Sequence, residues 1–127
     1  MLSTSTAFLV AAATLLVVPA CHRPLSENER KVVGTWDRTG MDFTERTVYK
    51  PDHTFESEMS DGSGTHPFAF GTWKVEENVL VEQASFHWSP VPNETPPPKQ
   101  TIRVPILEFQ PDKLVREQGR PALVRVK

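Results

Sequence analysis

Residues 44–59, TERTVYKPDHTFESEM, contain the pattern that decides the fold. Two runs rich in Thr, Val, Tyr and Phe flank a Pro-Asp pair, and such residues favour strands. Pro51 and Asp52 favour a tight turn, because Pro fixes φ and the Asp side chain hydrogen-bonds the following backbone. In the second run Phe55 and Met59 alternate with glutamates, which gives one apolar and one solvated face. The stretch therefore predicts an antiparallel hairpin.

Runs of the same kind recur on both sides of this hairpin. They are short, and Pro, Gly, Asp and Asn separate them. Without helices to make parallel crossovers, consecutive strands are expected to pair as an antiparallel meander. The eight predicted strands are Val33–Arg38, Thr44–Lys50, Thr54–Met59, Phe68–Val75, Val79–Trp88, Thr101–Phe109, Lys113–Glu117 and Ala122–Lys127.

A short N-terminal helix is predicted ahead of the first strand. Ser26 is followed three residues later by Glu29, which is the spacing of a capping box. The pattern runs from Leu25 to Lys31 and predicts a helix of about two turns.

Four short motifs follow one another along the chain: Gly34-Thr35-Trp36, Asp52-His53-Thr54-Phe55, Gly71-Thr72-Trp73 and Asn78-Val79-Leu80. Their order resembles that of the lipocalin-like β-barrels, over residues 25–127, although this chain has His53 where a Gly is more usual. The resemblance implies an all-β fold, a small antiparallel up-and-down β-barrel of about eight strands, with an open, strongly curved antiparallel sheet as the alternative.

The resemblance also implies how one end of the barrel is closed. In that group a Gly-x-Trp on the first strand covers this end, and an Arg from the last strand stacks on the Trp. Structural roles are therefore expected for Gly34, Trp36 and Arg125, with Arg116 as the second candidate for the stacking Arg. Eight strands enclose an interior that side chains fill or that holds one small ligand, so a large dry cavity is not expected.

The N-terminal segment has a different composition. Residues 7–19, AFLVAAATLLVVP, form an uncharged run that is shorter than the roughly 20 residues of a membrane-spanning helix. The run is within the range of a signal-peptide core. Val18-Pro19-Ala20 then precedes Cys21, the only cysteine of the chain. This arrangement resembles a bacterial lipoprotein signal, in which the cysteine is acylated and becomes the new N-terminus.

The lipoprotein resemblance implies an address in the cell envelope. It divides the chain into a signal peptide at 1–20, a lipid-anchor and tether at 21–24 and the barrel domain at 25–127. Acylated Cys21 would hold the exported protein at a bacterial membrane, inner or outer, because two or more acyl chains anchor stably. The alternatives are an ordinary cleaved signal that leaves a free thiol, and an uncleaved helix.

Length and charge exclude several classes of function. The 127 residues allow one ordinary domain, and 14 Lys+Arg against 16 Asp+Glu leave no basic patch for nucleic acid. The four histidines have no metal-ligand spacing, and no nucleophile elbow or phosphate-binding loop is present. No enzyme activity, metal or cofactor is predicted.

Aromatic residues on the strands are the candidates for ligand binding, namely Phe68, Phe70, Phe86 and Trp88. The predicted function is a non-enzymatic binding module for a small apolar ligand or lipid. The alternative is an envelope protein-interaction module, an inhibitor or assembly factor, that acts through its loops. A connected apolar interior cavity of about 300 Å³ or more favours the first function. A filled interior with an exposed ridge at Trp88–Pro98 favours the second.

Overall fold

The computed structural model describes residues 23–87, 93, 95–117 and 119–127. The predicted signal peptide, Cys21 and Trp88 lie outside the described residues. One helix, α1, precedes eight strands, β1 to β8. Their bounds in chain order are Glu27–Val32, Gly34–Thr39, Thr44–Tyr49, Thr54–Asp61, Gly64–Glu76, Val79–Phe86, Gln100–Phe109, Lys113–Arg116 and Leu123–Arg125.

The strands form a closed barrel. Each strand pairs antiparallel with the next, and β8 returns to pair with β1, where Trp36 lies opposite Arg125. The predicted all-β, eight-stranded antiparallel barrel is therefore confirmed, and the open-sheet alternative is wrong. Within the described part of the chain, no helix has the length and apolarity needed to cross a membrane.

The prediction of an N-terminal helix from Leu25 is not supported. The helical segment is only six residues long and begins after Ser26, whose φ of −69° and ψ of 168° are extended. Ser26 is the N-cap, and the capping box with Glu29 is present. The segment ends at Val33, whose ψ of 128° turns the chain directly into β1.

The β3–β4 hairpin extends further than the sequence predicted. β4 begins at Gly64, four residues before the predicted start, and only Gly62 and Ser63 separate it from β3. The connection between the two strands is a tight turn, which the Asp61 carboxylate stabilises by accepting from the Ser63 N–H at 2.8 Å.

The two ends of the barrel differ. At the closed end, α1 contacts the turn at residues 77–78 through Asn28 and the turn at residues 50–53 through Glu29. Arg125 donates to carbonyls of both Lys31 in α1 and Pro111 in the turn at residues 110–112. The open end carries the β1–β2, β3–β4 and β7–β8 connections. Most of the large buried apolar side chains lie toward the closed end, and they include Val32, Trp36, Trp73, Leu80 and Leu114.

Candidate functional site

Strand pairing identifies the side chains that face the barrel interior. On β5 the residues Leu80 and Ala84 are each 1% exposed, and Glu82 lies at the alternate position between them. Glu82 is opposite Trp73 on β4 and Ile102 on β6, both of which share its face of the sheet. A carboxyl group is thereby placed inside the barrel.

A cavity of about 350 Å³ occupies the interior toward the open end. It reaches the rim at Gly119, Arg120 and Pro121, in the β7–β8 connection. Its volume lies near the lower limit of small-molecule pockets, which span roughly 300–1,000 Å³. Its wall mixes apolar and charged side chains, chiefly Arg38, Glu45, Phe68, Glu82, Ala84, Phe86, Ile102 and Arg116.

Glu82 has few partners for a largely buried carboxyl group. The Tyr49 hydroxyl donates to Glu82 Oε2 at 3.2 Å. Burial raises the pKa of Glu82 to about 7; the Tyr49 hydrogen bond, Arg116 and Arg38 act against this rise, whereas Glu45 adds to it. Burial also raises the pKa of Tyr49 well above its usual value. At pH values below about 7 the Glu82 carboxyl is thus predominantly neutral.

The two guanidinium groups of the cavity are in different situations. Arg38 Nη2 lies 2.8 Å from Glu45 Oε2, so this charge is paired. Arg116 donates from Nε to the Pro121 carbonyl at 2.8 Å, but no carboxylate oxygen of the described residues lies within 4.0 Å of its guanidinium. Burial, with Arg38 and Arg120 nearby, lowers the pKa of Arg116. The cavity therefore contains a cation that lacks a close counter-charge among those residues.

The aromatic residues predicted to bind ligand do not form one cluster. Phe68 and Phe86 meet edge to face on the cavity wall, with ring centroids 5.5 Å apart. Phe70 lies on the outer face, 44% exposed, with its ring 5.0 Å from that of His87. Trp88 lies outside the described residues.

A β-bulge explains this separation. Ser57 pairs with Ala69 and Glu58 pairs with Pro67, so Phe68 is an extra residue on β4. Strict alternation would place Phe68 and Phe70 on one face, but it fails at the bulge.

Trp36, Gly34 and Arg125 lie together at the closed end. The Arg125 guanidinium carbon is 4.2 Å from the centre of the Trp36 ring. Arg125 also donates to the carbonyls of Val33 and Lys31, both at 3.0 Å, and so ties β8 to the end of α1. A Cβ on Gly34, whose φ is +138°, would lie 2.3 Å from Arg125 Nη1. The second candidate for the stacking Arg, Arg116, faces the cavity instead.

The closed end also holds a buried carboxylate whose surroundings were not predicted. Glu29 is 0% exposed and accepts from both terminal nitrogens of Arg23, at 3.0 and 2.8 Å. The backbone N–H groups of Ser26 and Val75 donate to it at 2.9 and 3.1 Å. Burial alone would raise the pKa of Glu29, but these hydrogen bonds and His53 outweigh it and set the pKa at about 2.

His53 completes this cluster. It occupies the position where a Gly was expected, with the left-handed φ of 66°, and is 6% exposed. Its Nε2 lies 3.3 Å from Glu29 Oε2, without the geometry of a hydrogen bond. No group of three or more metal-ligating side chains is found among the described residues.

The chain matches no family model, no curated protein and no solved structure. The resemblances to lipocalin-like barrels and to lipoprotein signals stay predictions from the sequence motifs. The closed barrel and its interior cavity are observed in the structure.

Proposed function

We propose that this protein is a non-enzymatic binding module that holds a small amphipathic molecule inside its barrel. The observation that carries the proposal is the 350 Å³ interior cavity with the Glu82 carboxyl in its wall. The aromatic pair Phe68 and Phe86 offers apolar contact area on the same wall. Small-molecule sites are typically apolar with a few polar groups. The wall of this cavity has a larger polar share, which favours an amphipathic molecule over a purely apolar one.

The energetics of the cavity support this proposal. Burying a carboxyl group or a guanidinium without full pairing costs stability, and an apolar filling of similar volume is often as stable or more stable. Glu82 and Arg116 therefore lower the stability of the folded protein, and the packing of the barrel does not require them. A bound molecule that pairs with these two polar groups would explain why the cavity contains them.

Two neighbouring residues of β5 provide a matched test. Ala84 lines the cavity, whereas Ser85 lies at the alternate, outward position. We expect Ala84→Leu to fill the cavity and to abolish retention of a co-purifying small molecule, measured by native mass spectrometry after gentle extraction. Ser85→Leu should leave retention unchanged. Thermal melts of both variants check that they fold, since overpacking costs about 1–3 kcal/mol. Retention that survives Ala84→Leu in the folded protein would place the ligand elsewhere.

The proposal includes a lipid anchor at Cys21. Arg23, two residues later, is held by Glu29 at the closed end, and two residues span at most about 7 Å. An anchor at Cys21 would thus bring the closed end to the bilayer and turn the cavity mouth away from it. We expect Cys21→Ser to release the protein from the membrane fraction and to remove the mass of the acyl chains. A membrane-bound variant of unchanged modification would contradict the anchor.

The protein-interaction alternative has one observation in its favour. A groove of about 810 Å³ crosses the outer face of β2, β3 and β4, and Val48, Glu56, Phe70 and His87 are among its lining residues. This groove is larger than the interior cavity but more open to solvent. If Phe70→Ser removes a protein partner that co-purifies with the chain, while Ala84→Leu has no effect on it, the alternative is the better description.

A further inference from the structure

The pairing of charges inside the cavity indicates the chemistry of the ligand. Arg38 and Glu45 neutralise each other at 2.8 Å. The remaining ionisable groups of the cavity wall are Glu82, Arg116 and, at the rim, Arg120, whose charge is offset by Glu117 at 3.9 Å. The nearby Tyr49 hydroxyl stays neutral because burial raises its pKa. When Glu82 is protonated, the interior therefore carries one net positive charge, at Arg116.

Arg116 is suited to bind an anion. Its Nε is occupied by the Pro121 carbonyl, and the two terminal nitrogens have no carboxylate within 4.0 Å among the described residues. A guanidinium matches the two oxygens of a carboxylate, and such charge-assisted bonds are strong in a partly desolvated site. Arg120 at the rim lies 3.9 Å from a carboxylate oxygen of Glu117, so Arg116 is the cation of the cavity wall that has no close carboxylate among the described residues.

We propose that the ligand is a small monocarboxylic acid whose carboxylate binds Arg116 and whose apolar part packs against Phe68, Phe86 and Ile102. Ionised Glu82 opposes this binding, because its negative charge acts on Arg116 and repels the ligand. The inference rests on the proposed function, since it assumes that the cavity is a binding site.

The proposal includes a direction of pH dependence. The charged and titratable groups around Glu82 are Tyr49 and Glu45 on β2, Arg38 on β1 and Arg116 on β7. Its direct neighbours on β4 and β6 are Trp73 and Ile102, which do not titrate. Below pH 7 Glu82 is mostly neutral and binding is strongest. As the pH rises through about 7, binding weakens by up to about tenfold per pH unit.

Three six-carbon probes test the ligand class. Hexanoate, hexanol and hexylamine each have six carbons in an unbranched chain and carry a negative, neutral or positive head group. We expect calorimetric titration of the full processed protein at pH 6 to give the tightest binding for hexanoate and the weakest for hexylamine. Hexanol affinity reports on the cavity alone.

Single substitutions test whether Arg116 and Glu82 determine the affinity for hexanoate and its pH dependence. Arg116→Gln should weaken hexanoate binding by about tenfold or more and leave hexanol binding unchanged, which also shows that the variant is folded. Arg103→Gln, on the outer face of β6, is the control that should change neither affinity. Glu82→Gln should remove the pH dependence of hexanoate binding between about pH 5.5 and 8.5, where a carboxylate probe stays ionised.

The outcomes separate the two proposals. Equal affinity for hexanoate and hexanol, tighter binding of hexylamine, or an Arg116→Gln variant with unchanged hexanoate affinity would overturn the carboxylic acid while leaving the cavity as a binding site. Hexanoate affinity that does not change with pH in the wild-type protein would overturn the role of Glu82. Failure of all three probes to bind, together with no co-purifying molecule, would overturn the proposed function itself.

Discussion

Two buried glutamates, one toward each end of the barrel, have opposite surroundings. Glu29 at the closed end receives four hydrogen bonds from Arg23, Ser26 and Val75, and its pKa lies at about 2. Among the described residues, Glu82 in the cavity receives one hydrogen bond, from Tyr49, and its pKa lies at about 7. Both carboxyl groups experience desolvation, so the number and charge of their partners account for the difference.

This contrast indicates that the closed end stabilises the fold and that the cavity is the region suited to binding. Apart from the ring nitrogens of His53, which have no hydrogen-bond partner among the described residues, polar groups at the closed end are paired with one another and join α1 to β4 and β8. Polar groups in the cavity are incompletely paired and therefore reduce stability. Buried groups without full partners tend to occur where a protein binds or reacts, whereas fully paired groups more often stabilise the fold.

The largest expected effect is at the centre of the closed end. Trp36 is 0% exposed, donates from Nε1 to the Val32 carbonyl at 2.7 Å and lies under Arg125. We expect Trp36→Ala to lower the free energy of unfolding by about 3–5 kcal/mol in denaturant titrations. Phe70→Ala, which deletes a half-exposed aromatic on the outer face, should cost much less. Equal losses for the two variants would show that the closed end has no special role in stability.

Glu29 should give the next largest effect, and it depends on pH. Its folded pKa of about 2 is below the ordinary value of 4.5, so its contribution is present above pH 4.5 and is lost as the pH falls toward 2. We expect Glu29→Gln to cost about 3 kcal/mol at pH 7 and to flatten the acid side of the stability profile. Glu56→Gln, which removes an exposed pair with Lys50, should cost less than about 1 kcal/mol. An unchanged acid profile in Glu29→Gln would contradict the assignment.

A substitution at Gly34 tests whether the close approach of Arg125 to the backbone is needed for stability at the closed end. A methyl group there would meet the Arg125 guanidinium at 2.3 Å, on a backbone with φ of +138°. We expect Gly34→Ala to cost about 1–3 kcal/mol, measured by thermal and denaturant unfolding. Gly62→Ala is the control, because a Cβ at Gly62 has no atom within 4 Å. If both substitutions are tolerated equally, the fit around Gly34 is not a constraint.

Local patterns were sufficient to predict the strands and the turns. Alternation, Pro-Asp pairs and β-branched residues act over a few positions, so all eight strands could be located before the structure was known. The bulge at Phe68 could not be predicted, because it depends on the register between β3 and β4. The bulge is what places Phe68 in the cavity wall while Phe70 lies on the outer face.

The candidate site was harder to predict, because its polar groups are far apart in the sequence and come close together only in the folded barrel. Period-two alternation does place Glu82 on the face of Leu80 and Ala84, and that signal could have identified an inward carboxyl group. Similarly, Val32 lies three residues after Glu29 on the same face of the helix, and that spacing could have identified Glu29 as an inward carboxylate. The partners Tyr49, Arg116 and His53 come from distant strands and turns, and no local pattern indicates them.

The smallest expected effect concerns Glu82. Unlike the substitutions above, its replacement should increase the free energy of unfolding. Its folded pKa of about 7 exceeds the ordinary value of 4.5, so the folded state holds a proton that the unfolded state has lost between these pH values. Its contribution to stability is therefore full below pH 4.5 and declines as the pH rises through about 7. Because the cavity opens at its rim and Glu82 keeps some contact with solvent, we expect Glu82→Gln to raise the free energy of unfolding by only about 1–2 kcal/mol at pH 8. Denaturant titrations at pH 4 and pH 8 should give a smaller difference for the variant than for the wild type. If Glu82→Gln destabilises the protein at pH 8 as much as Glu29→Gln does, Glu82 is a structural group like its counterpart, and the cavity loses its main claim to a binding role.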